Sequence, residues 1–383
     1  MAERVFLDGA AGLPVRAEVA QRMAELYAEG IANPNGGHVE ARRARALLDA
    51  ARHSVAGAFG ADAVQLVFTG TASEALALAF HSEARPGSLV VTSAGEHRGA
   101  RTLAAKHAAA GGAVRLIPLT DEGYWVLSPE LFQDIEGATA LLSVASGELG
   151  AVQSLAPFIA SWRAAGGGAI ILDGVQRASS GSIKMNTGID HLVVGSAKIE
   201  GPVGVAALVS ARNRKLVPLV AGGGQQRGRR GGTEAVVLAD AFAFALRLSQ
   251  TEEAHSAAHA ANLGTTFDHA LGAPEQHGLR TTGPRDTTVR LPGHRSYAAD
   301  WVLGDDLVAA LDHEGVAVST GSACLSGSRE PSEALQACGF STSAAQGGLR
   351  LIFSRTNTSR DPVVAAAALA RVSRRIRDFG AAR

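Results

Sequence analysis

The chain is short of cysteine, of net charge and of long apolar runs, and each shortage excludes something. Its 383 residues hold two cysteines, too few for a disulfide framework and without the paired C-x-x-C spacing of a structural zinc or thioredoxin-like site. No metal centre is expected, and a reducing compartment suits such a chain. Its 36 basic residues are matched by 36 acidic ones, which argues against direct binding of nucleic acid. Nowhere do about 18 apolar residues run without a charge, so no membrane span is expected. The opening Met1-Ala2-Glu3-Arg4-Val5-Phe6-Leu7-Asp8 lacks the charged-then-apolar layout of a signal segment. These absences leave the expectation of a cytoplasmic chain of two or so domains with a full-sized core.

The two cysteines differ in setting. Cys324 stands in Ser319-Thr320-Gly321-Ser322-Ala323-Cys324-Leu325-Ser326-Gly327-Ser328, among small, flexible and polar residues. A nucleophilic thiol needs that kind of access, and a way to become thiolate from a free pKa of about 8.5. Cys338 follows an apolar helical stretch and precedes Gly339, which reads as core packing. Two basic clusters are short. Arg227, Arg229 and Arg230 suit a small anion or a subunit contact, and Arg371, Arg374, Arg375 and Arg377 suit the solvated face of a final helix.

Short apolar runs alternate with Ala/Leu-rich helical stretches from about residue 64. Val64–Thr69, Ser88–Ser93, Ala113–Leu119, Ala138–Val144, Ala169–Asp173, His191–Gly195 and Gly204–Ser210 read as strands covered on both faces, joined by right-handed helical crossovers. The fold class is therefore α/β, with a mostly parallel seven-stranded sheet in a large domain and a smaller α+β domain. A long helix over about Glu234–Gln250 leads to the boundary. The expected division is a large domain over 15–255 and a small domain formed by 1–14 with 256–383.

Ligands of open α/β sheets sit beyond the carboxyl ends of the strands. Asp173 ends one strand, with Gln176 three residues on; its carboxylate needs a cation there or serves as a helix cap. His97 follows another strand as a stacking or capping residue. Lys198 follows a third, where partial desolvation would suit imine chemistry. Phe68-Thr69-Gly70-Thr71-Ala72-Ser73-Glu74-Ala75 is a strand, a small-residue turn and a helix start, able to seat a phosphate but lacking the Gly-Lys-Ser/Thr of a P-loop. A phosphate seat, an acid, an imidazole and a lysine are the parts a pyridoxal 5'-phosphate site needs.

On these residues, and on Gly321-Ser322-Ala323-Cys324 with Glu330-Pro331-Ser332, the chain resembles the cysteine desulfurases of the fold-type I, class V aminotransferase family, in the group with the longer active-site loop. The resemblance implies that Lys198 carries the cofactor imine, Asp173 meets the pyridinium nitrogen, Gln176 the phenolic oxygen and His97 the ring face. It implies Ala72 and Ser73 at the phosphate, Thr233 reaching the phosphate of a partner subunit in a homodimer, Arg355 and Asn33 at the substrate, and Cys324 as sulfur acceptor. Two segments depart from the family pattern. Gly195-Ser196-Ala197-Lys198 stands where Ser-Gly-His-Lys is usual, and Ser146-Gly147-Glu148-Leu149-Gly150 where Asn-Asn-Glu-Ile-Gly is common; both touch the grip on phosphate and substrate.

The leading reading is a desulfurase that converts L-cysteine to alanine and leaves a persulfide on Cys324 for a protein acceptor, with His97 as acid or base. A pyridoxal phosphate C–S lyase acting on cystine or an S-substituted cysteine, and releasing pyruvate and ammonia, is the rival that needs no enzyme thiol. A non-catalytic scaffold is weakened by the joint presence of Lys198, Asp173, His97 and Arg355.

Overall fold

The computed structural model describes residues 4–178, 181, 183–321 and 330–381. In chain order the described strands are β1 (Val5–Phe6), β2 (Leu66–Thr69), β3 (Leu89–Ser93), β4 (Ala113–Ile117), β5 (Thr139–Ser143), β6 (Ile170–Asp173), β7 (His191–Gly195), β8 (Ala206–Ser210), β9 (Arg280–Thr281), β10 (His294–Ala298), β11 (Val316–Ala317) and β12 (Leu349–Ile352). Seven of them form one sheet in the order β2-β8-β7-β6-β5-β3-β4. The pairings from β4 through β3, β5 and β6 to β7 are parallel. β8 runs against both β7 and β2, so β2 points with the parallel set and β8 alone is reversed.

All seven expected strands are present, with ends moved by a residue or two. The expected Val64 start gives way to Leu66 because the Gln65 side-chain oxygen accepts from the Asp62 N–H at 2.9 Å, winding Ala63–Gln65 into a 3-10 turn. The long helix runs Val236–Thr251 rather than from Glu234. Glu234 is held outside it, accepting from Gln226 Nε2 at 2.7 Å and Arg52 Nη2 at 3.4 Å.

Apolar strands need cover on both faces, and the helices supply it. One face packs against the helices Val39–Ala58 and Val236–Thr251, with Phe68 edge-on to Phe242 at 6.4 Å, and against the aromatic group Trp125, Phe158 and Trp162. The other face packs against the helix Ala72–Glu83 through Leu76, Leu78 and Phe80. A separate core joins Val5 and Leu7 to Leu263, Phe267, Leu307, Leu349, Phe353 and Val372. Around it lie the antiparallel sheet β12-β10-β9 and the parallel pair β1-β11.

Cys338 follows the short helix Glu333–Ala337 and is buried in a small cluster with Ala334 and Leu335. Burial, with Glu148 and Asp121 adding negative charge, pushes its thiol up to about 12. That is an inert, structural cysteine. Arg371, Arg374, Arg375 and Arg377 lie exposed on the helix Asp361–Ala381. Arg227 and Arg229 donate to the carbonyls of Ala63 and Val64, while Arg230 pairs with Glu74. No described helix is long and apolar enough to cross a membrane.

Phe242 is fully buried where a helix meets the main sheet. Phe242→Ala is expected to lower the apparent unfolding free energy by about 3–5 kcal/mol in a urea titration, through lost transfer energy and the cavity left behind. Val217→Ala, at an exposed position, should change it by less than about 0.5 kcal/mol.

Candidate active site

Six strands of the main sheet share one direction, so the residues after their carboxyl ends meet along one edge. The segments after β2, β3, β5, β6 and β7 open there on a cavity of about 430 Å³, a size suited to a small organic ligand.

Two helix starts point into it. After β2, the Thr71 hydroxyl accepts from the Glu74 N–H at 3.0 Å and caps the helix Ala72–Glu83. Capping falls to Thr71, so Ala72 and Ser73 occupy the first turn on the cavity wall, where backbone N–H groups and the helix dipole favour an anion. After β3, His97 Nδ1 accepts from the Gly99 N–H at 3.0 Å and caps the helix Arg98–Ala109. An accepting Nδ1 assigns the proton of a neutral ring to Nε2.

Asp173 ends β6, and its Oδ1 accepts from the Val175 N–H at 2.9 Å. Burial raises its pKa, opposed by that hydrogen bond and by the charges of His97 and Lys198. Gln176 donates to the Ala10 carbonyl at 3.1 Å. Lys198 lies in the 3-10 turn Ser196–Ile199 after β7, and its Nζ donates to the Ala11 carbonyl. Gly195 immediately precedes that turn and Ala197 lies within it. A helix-start anion seat, a half-buried carboxylate, an amide donor, an imidazole and a primary amine around one cavity fit the phosphate, ring nitrogen, phenolic oxygen, ring face and carbonyl of pyridoxal phosphate.

Three of the residues expected at the site lie elsewhere. Arg355 is engaged with Glu200, donating from Nε to Oε2 at 3.0 Å and from Nη2 to Oε1 at 3.1 Å; it lies outside the large cavity and lines a smaller one on the far side of Lys198. Asn33 is exposed and closes its own turn by accepting from the Asn35 N–H at 3.0 Å. Thr233 is exposed and does not line the cavity of its own chain. Cys324 lies outside the described residues; Gly321, at their near limit, is on the cavity wall.

The cavity also holds Arg350, Glu148 and Glu96, to which the sequence reading gave no role, and Gly147, which it marked as a departure from the family pattern. Arg350, in β12, is buried and lines it. Its Nη1 donates to the carbonyls of Gly147 and Gly321 at 3.0 and 3.2 Å, and its Nη2 to Asp8 Oδ1 at 2.9 Å. An arginine inside the apolar run Leu349–Ile352 was the available signal. Gly147 presents that carbonyl where a Cβ would come within 2.9 Å of Gln176 Nε2. Any side chain there must displace Gln176. Glu148 is half-buried, accepts from the Ser332 hydroxyl, and has its pKa raised by desolvation. Glu96 immediately precedes His97, and one of its oxygens finds no hydrogen-bond partner among the described residues. The other accepts from the Ser93 hydroxyl at 2.8 Å. Burial is the main cause that pushes the Glu96 carboxyl up to about 7, with the charge of Asp173 adding to the rise and the Ser93 hydrogen bond opposing it.

Comparison with known proteins gives a consistent picture. The aminotransferase class-V family profile matches residues 5–362. A protein named cysteine desulfurase IscS from Methanosarcina thermophila is 32% identical over 93% of this chain and 89% of its own. Another of that name from Dictyoglomus turgidum is 30% identical over 94% of this chain and 92% of its own. In shape, the chain matches the apo structure of cysteine desulfurase from Thermococcus onnurineus NA1 with a TM-score of 0.85 at 20% identity, covering 97% of this chain and 95% of that one.

Glu96 makes stability depend on pH in a predictable direction. A glutamate free in the unfolded chain ionises near 4.5, whereas folding moves the Glu96 value to about 7. Between those values the folded state keeps a proton that the unfolded state has lost, so this carboxyl lowers stability as pH rises through that window. Glu96→Gln keeps the shape without the charge. In the cofactor-free protein it is expected to be more stable than the parent by roughly 1–3 kcal/mol above pH 7, with the difference shrinking towards pH 4.5. A difference independent of pH in urea unfolding at pH 5 and 7.5 would show that Glu96 holds no such proton.

Proposed function

The chain belongs to the class V aminotransferases and, among them, to the cysteine desulfurase family, and on that premise we propose that it takes sulfur from L-cysteine, leaving alanine and a persulfide on Cys324. Members of this family depend on pyridoxal 5'-phosphate. The observation that carries the reading is the meeting of Ala72, Ser73, His97, Asp173, Gln176 and Lys198 around one cavity.

Bound there, the cofactor supplies an electron sink for the charge left when a Cα–H bond of an amino acid breaks. Lys198 offers the primary amine that tethers it and then accepts the Cα proton. Asp173, which burial alone would drive towards its neutral form, would be held ionised by pairing with the protonated ring nitrogen of the cofactor. Gln176 would supply a donor to the phenolic oxygen, and His97 would cover the ring face, with Nε2 the nitrogen able to exchange a proton. Ala72 and Ser73, with the first-turn N–H groups, would hold the phosphate. Thr233, exposed on its own chain, contributes to the phosphate site of the second subunit of a homodimer.

Arg350 takes the role expected of Arg355. It is the arginine whose guanidinium reaches the cavity from the β12 side, and a fork of donors there suits the substrate carboxylate. Asn33 has no substrate role in this reading. Cys324, as thiolate, attacks the substrate sulfur: the new S–S bond forms on Cys324 as the Cβ–S bond breaks, and the carbon fragment leaves as alanine after protonation. The persulfide then passes to a protein acceptor in the cytoplasm.

The balance of alanine against pyruvate after incubation with L-cysteine tests the proposal. Alanine in molar proportion to released sulfur is expected, with one added sulfur on the peptide that carries Cys324 and none on Cys338. Cys324→Ala should keep the cofactor absorbance yet make alanine at least about 100-fold more slowly. Sulfur release at the parent rate with pyruvate and ammonia as co-products would replace the desulfurase by a C–S lyase. Arg350→Ala is expected to raise KM for L-cysteine by roughly 10- to 100-fold.

A further inference from the structure

Lys198 is held by more than its own turn. The segment 11–16 runs beside 197–200 and binds it at three positions: Lys198 Nζ donates to the Ala11 carbonyl, the Leu13 N–H to the Ala197 carbonyl at 3.1 Å, and the Arg16 N–H to the Glu200 carbonyl at 3.0 Å. The contact then continues into side chains. Glu200 Oε2 accepts from Arg16 Nε at 2.7 Å and from Arg355 Nε at 3.0 Å, while Oε1 accepts from Arg355 Nη2 at 3.1 Å. Arg16 also donates from Nη1 to Glu252 at 2.9 Å.

Two features of Glu200 require explanation. It is 4% exposed, so its charge depends on these two guanidinium groups for compensation. It also adopts φ 58° and ψ 26°, the left-handed region that a residue with a Cβ enters at a cost, and it does so two positions after the lysine. A strained backbone persists where its surroundings over-determine it. Here they do so from both sides, since Arg16 follows the N-terminal segment and Arg355 follows β12, which packs in the other core.

We propose that Glu200 is the positioning residue for Lys198, and that Arg355 acts through it as a structural clamp and not on the substrate. The carboxylate fixes the left-handed turn, and the turn fixes where the amine stands over the cavity. The assignment rests on the pyridoxal phosphate site but not on the desulfurase reading, because a C–S lyase would need the same placement of the amine.

The test is the rate at which cofactor-free protein attaches pyridoxal phosphate covalently at Lys198, trapped with borohydride and read by peptide mass spectrometry. Glu200→Gln and Arg355→Ala are each expected to slow attachment about tenfold, and the double variant should be no slower than the worse single one, as for two residues acting through one contact. Arg355→Lys, which keeps the charge and one donor, should recover part of the rate. A destabilised control, Phe267→Ala, should lose as much thermal stability without slowing attachment, which separates positioning from general loosening. In the loaded variants KM for L-cysteine should move by less than about twofold. An unchanged attachment rate in both Glu200→Gln and Arg355→Ala would overturn the proposal. So would a KM raised tenfold by Arg355→Ala at a normal attachment rate, which would return Arg355 to the substrate. Alanine or pyruvate as product bears only on the desulfurase reading.

Discussion

The shared direction of β2 to β7 is the constraint on which the site depends. Parallel neighbours cannot be joined by a tight hairpin; each return crosses back over a face of the sheet, and every carboxyl end falls on the same edge. Polar groups that would be costly within strands buried on both faces are thereby placed just outside them. The one reversal has its own consequence. Because β8 is antiparallel to β7, the chain after β7 does not enter a crossover helix but turns back directly. The segments after β2 and β3 begin helices, whose first turns present N–H donors, whereas the segment after β7 is a 3-10 turn that presents the Lys198 amine. Anion seat and amine thus follow strands of the same sense and differ in what comes next, a helix or a direct return into β8.

Crowding ionisable groups at that edge requires compensation, and the chain supplies it in two ways. Some groups are paired outright: Glu200 with Arg16 and Arg355, and Arg350 with Asp8. Others face the cavity with burial only partly offset. Asp173 and Glu96 both have pKa values raised by burial, and the charge of Asp173 adds to the rise at Glu96. Two carboxyl groups so placed disfavour joint ionisation. A cation arriving beside Asp173 settles which of them carries the charge, so the ligand-free site is pre-arranged for a ligand with a positive ring edge and a negative tail. The cationic face belongs to the helix starts and the anionic one to β6.

Much of this was legible in the sequence because its causes are local. Seven runs became seven strands; six are buried along most of their length, where composition has little freedom, whereas the edge strand β4 is buried only at Ile117. Asp173, His97 and Lys198 could be found by looking just after those runs. The misplaced residues have non-local causes. Arg355 looked free to meet a substrate, but its partner Glu200 lies 155 positions away and is brought near only when β12 and the turn after β7 approach. Glu200 itself sits in a Gly-Pro turn segment, and nothing in the sequence marks its left-handed backbone. Thr233 and Asn33 face outward on the single chain, and one subunit alone does not define their surroundings.

Arg350 and Gly147 show how a departure from a family pattern can be accommodated without losing the cavity. A side chain at 147 would press on Gln176, so the glycine leaves that amide its place beside Ala10. The backbone left uncovered does not go unpaired: the Gly147 carbonyl accepts from Arg350, whose guanidinium also reaches Asp8. Asp8 is therefore joined through one arginine to the segment after β5. The same N-terminal stretch binds Gln176 through Ala10, Lys198 through Ala11 and Glu200 through Arg16. Residues 8–16 are thus a strap across the open edge of the sheet, holding by backbone carbonyls and two ion pairs the groups that the strands themselves only bring near. Two of those contacts use the carbonyls of Ala10 and Ala11, which any residue at these positions presents, so there the strap depends on the path of its backbone and not on its side chains.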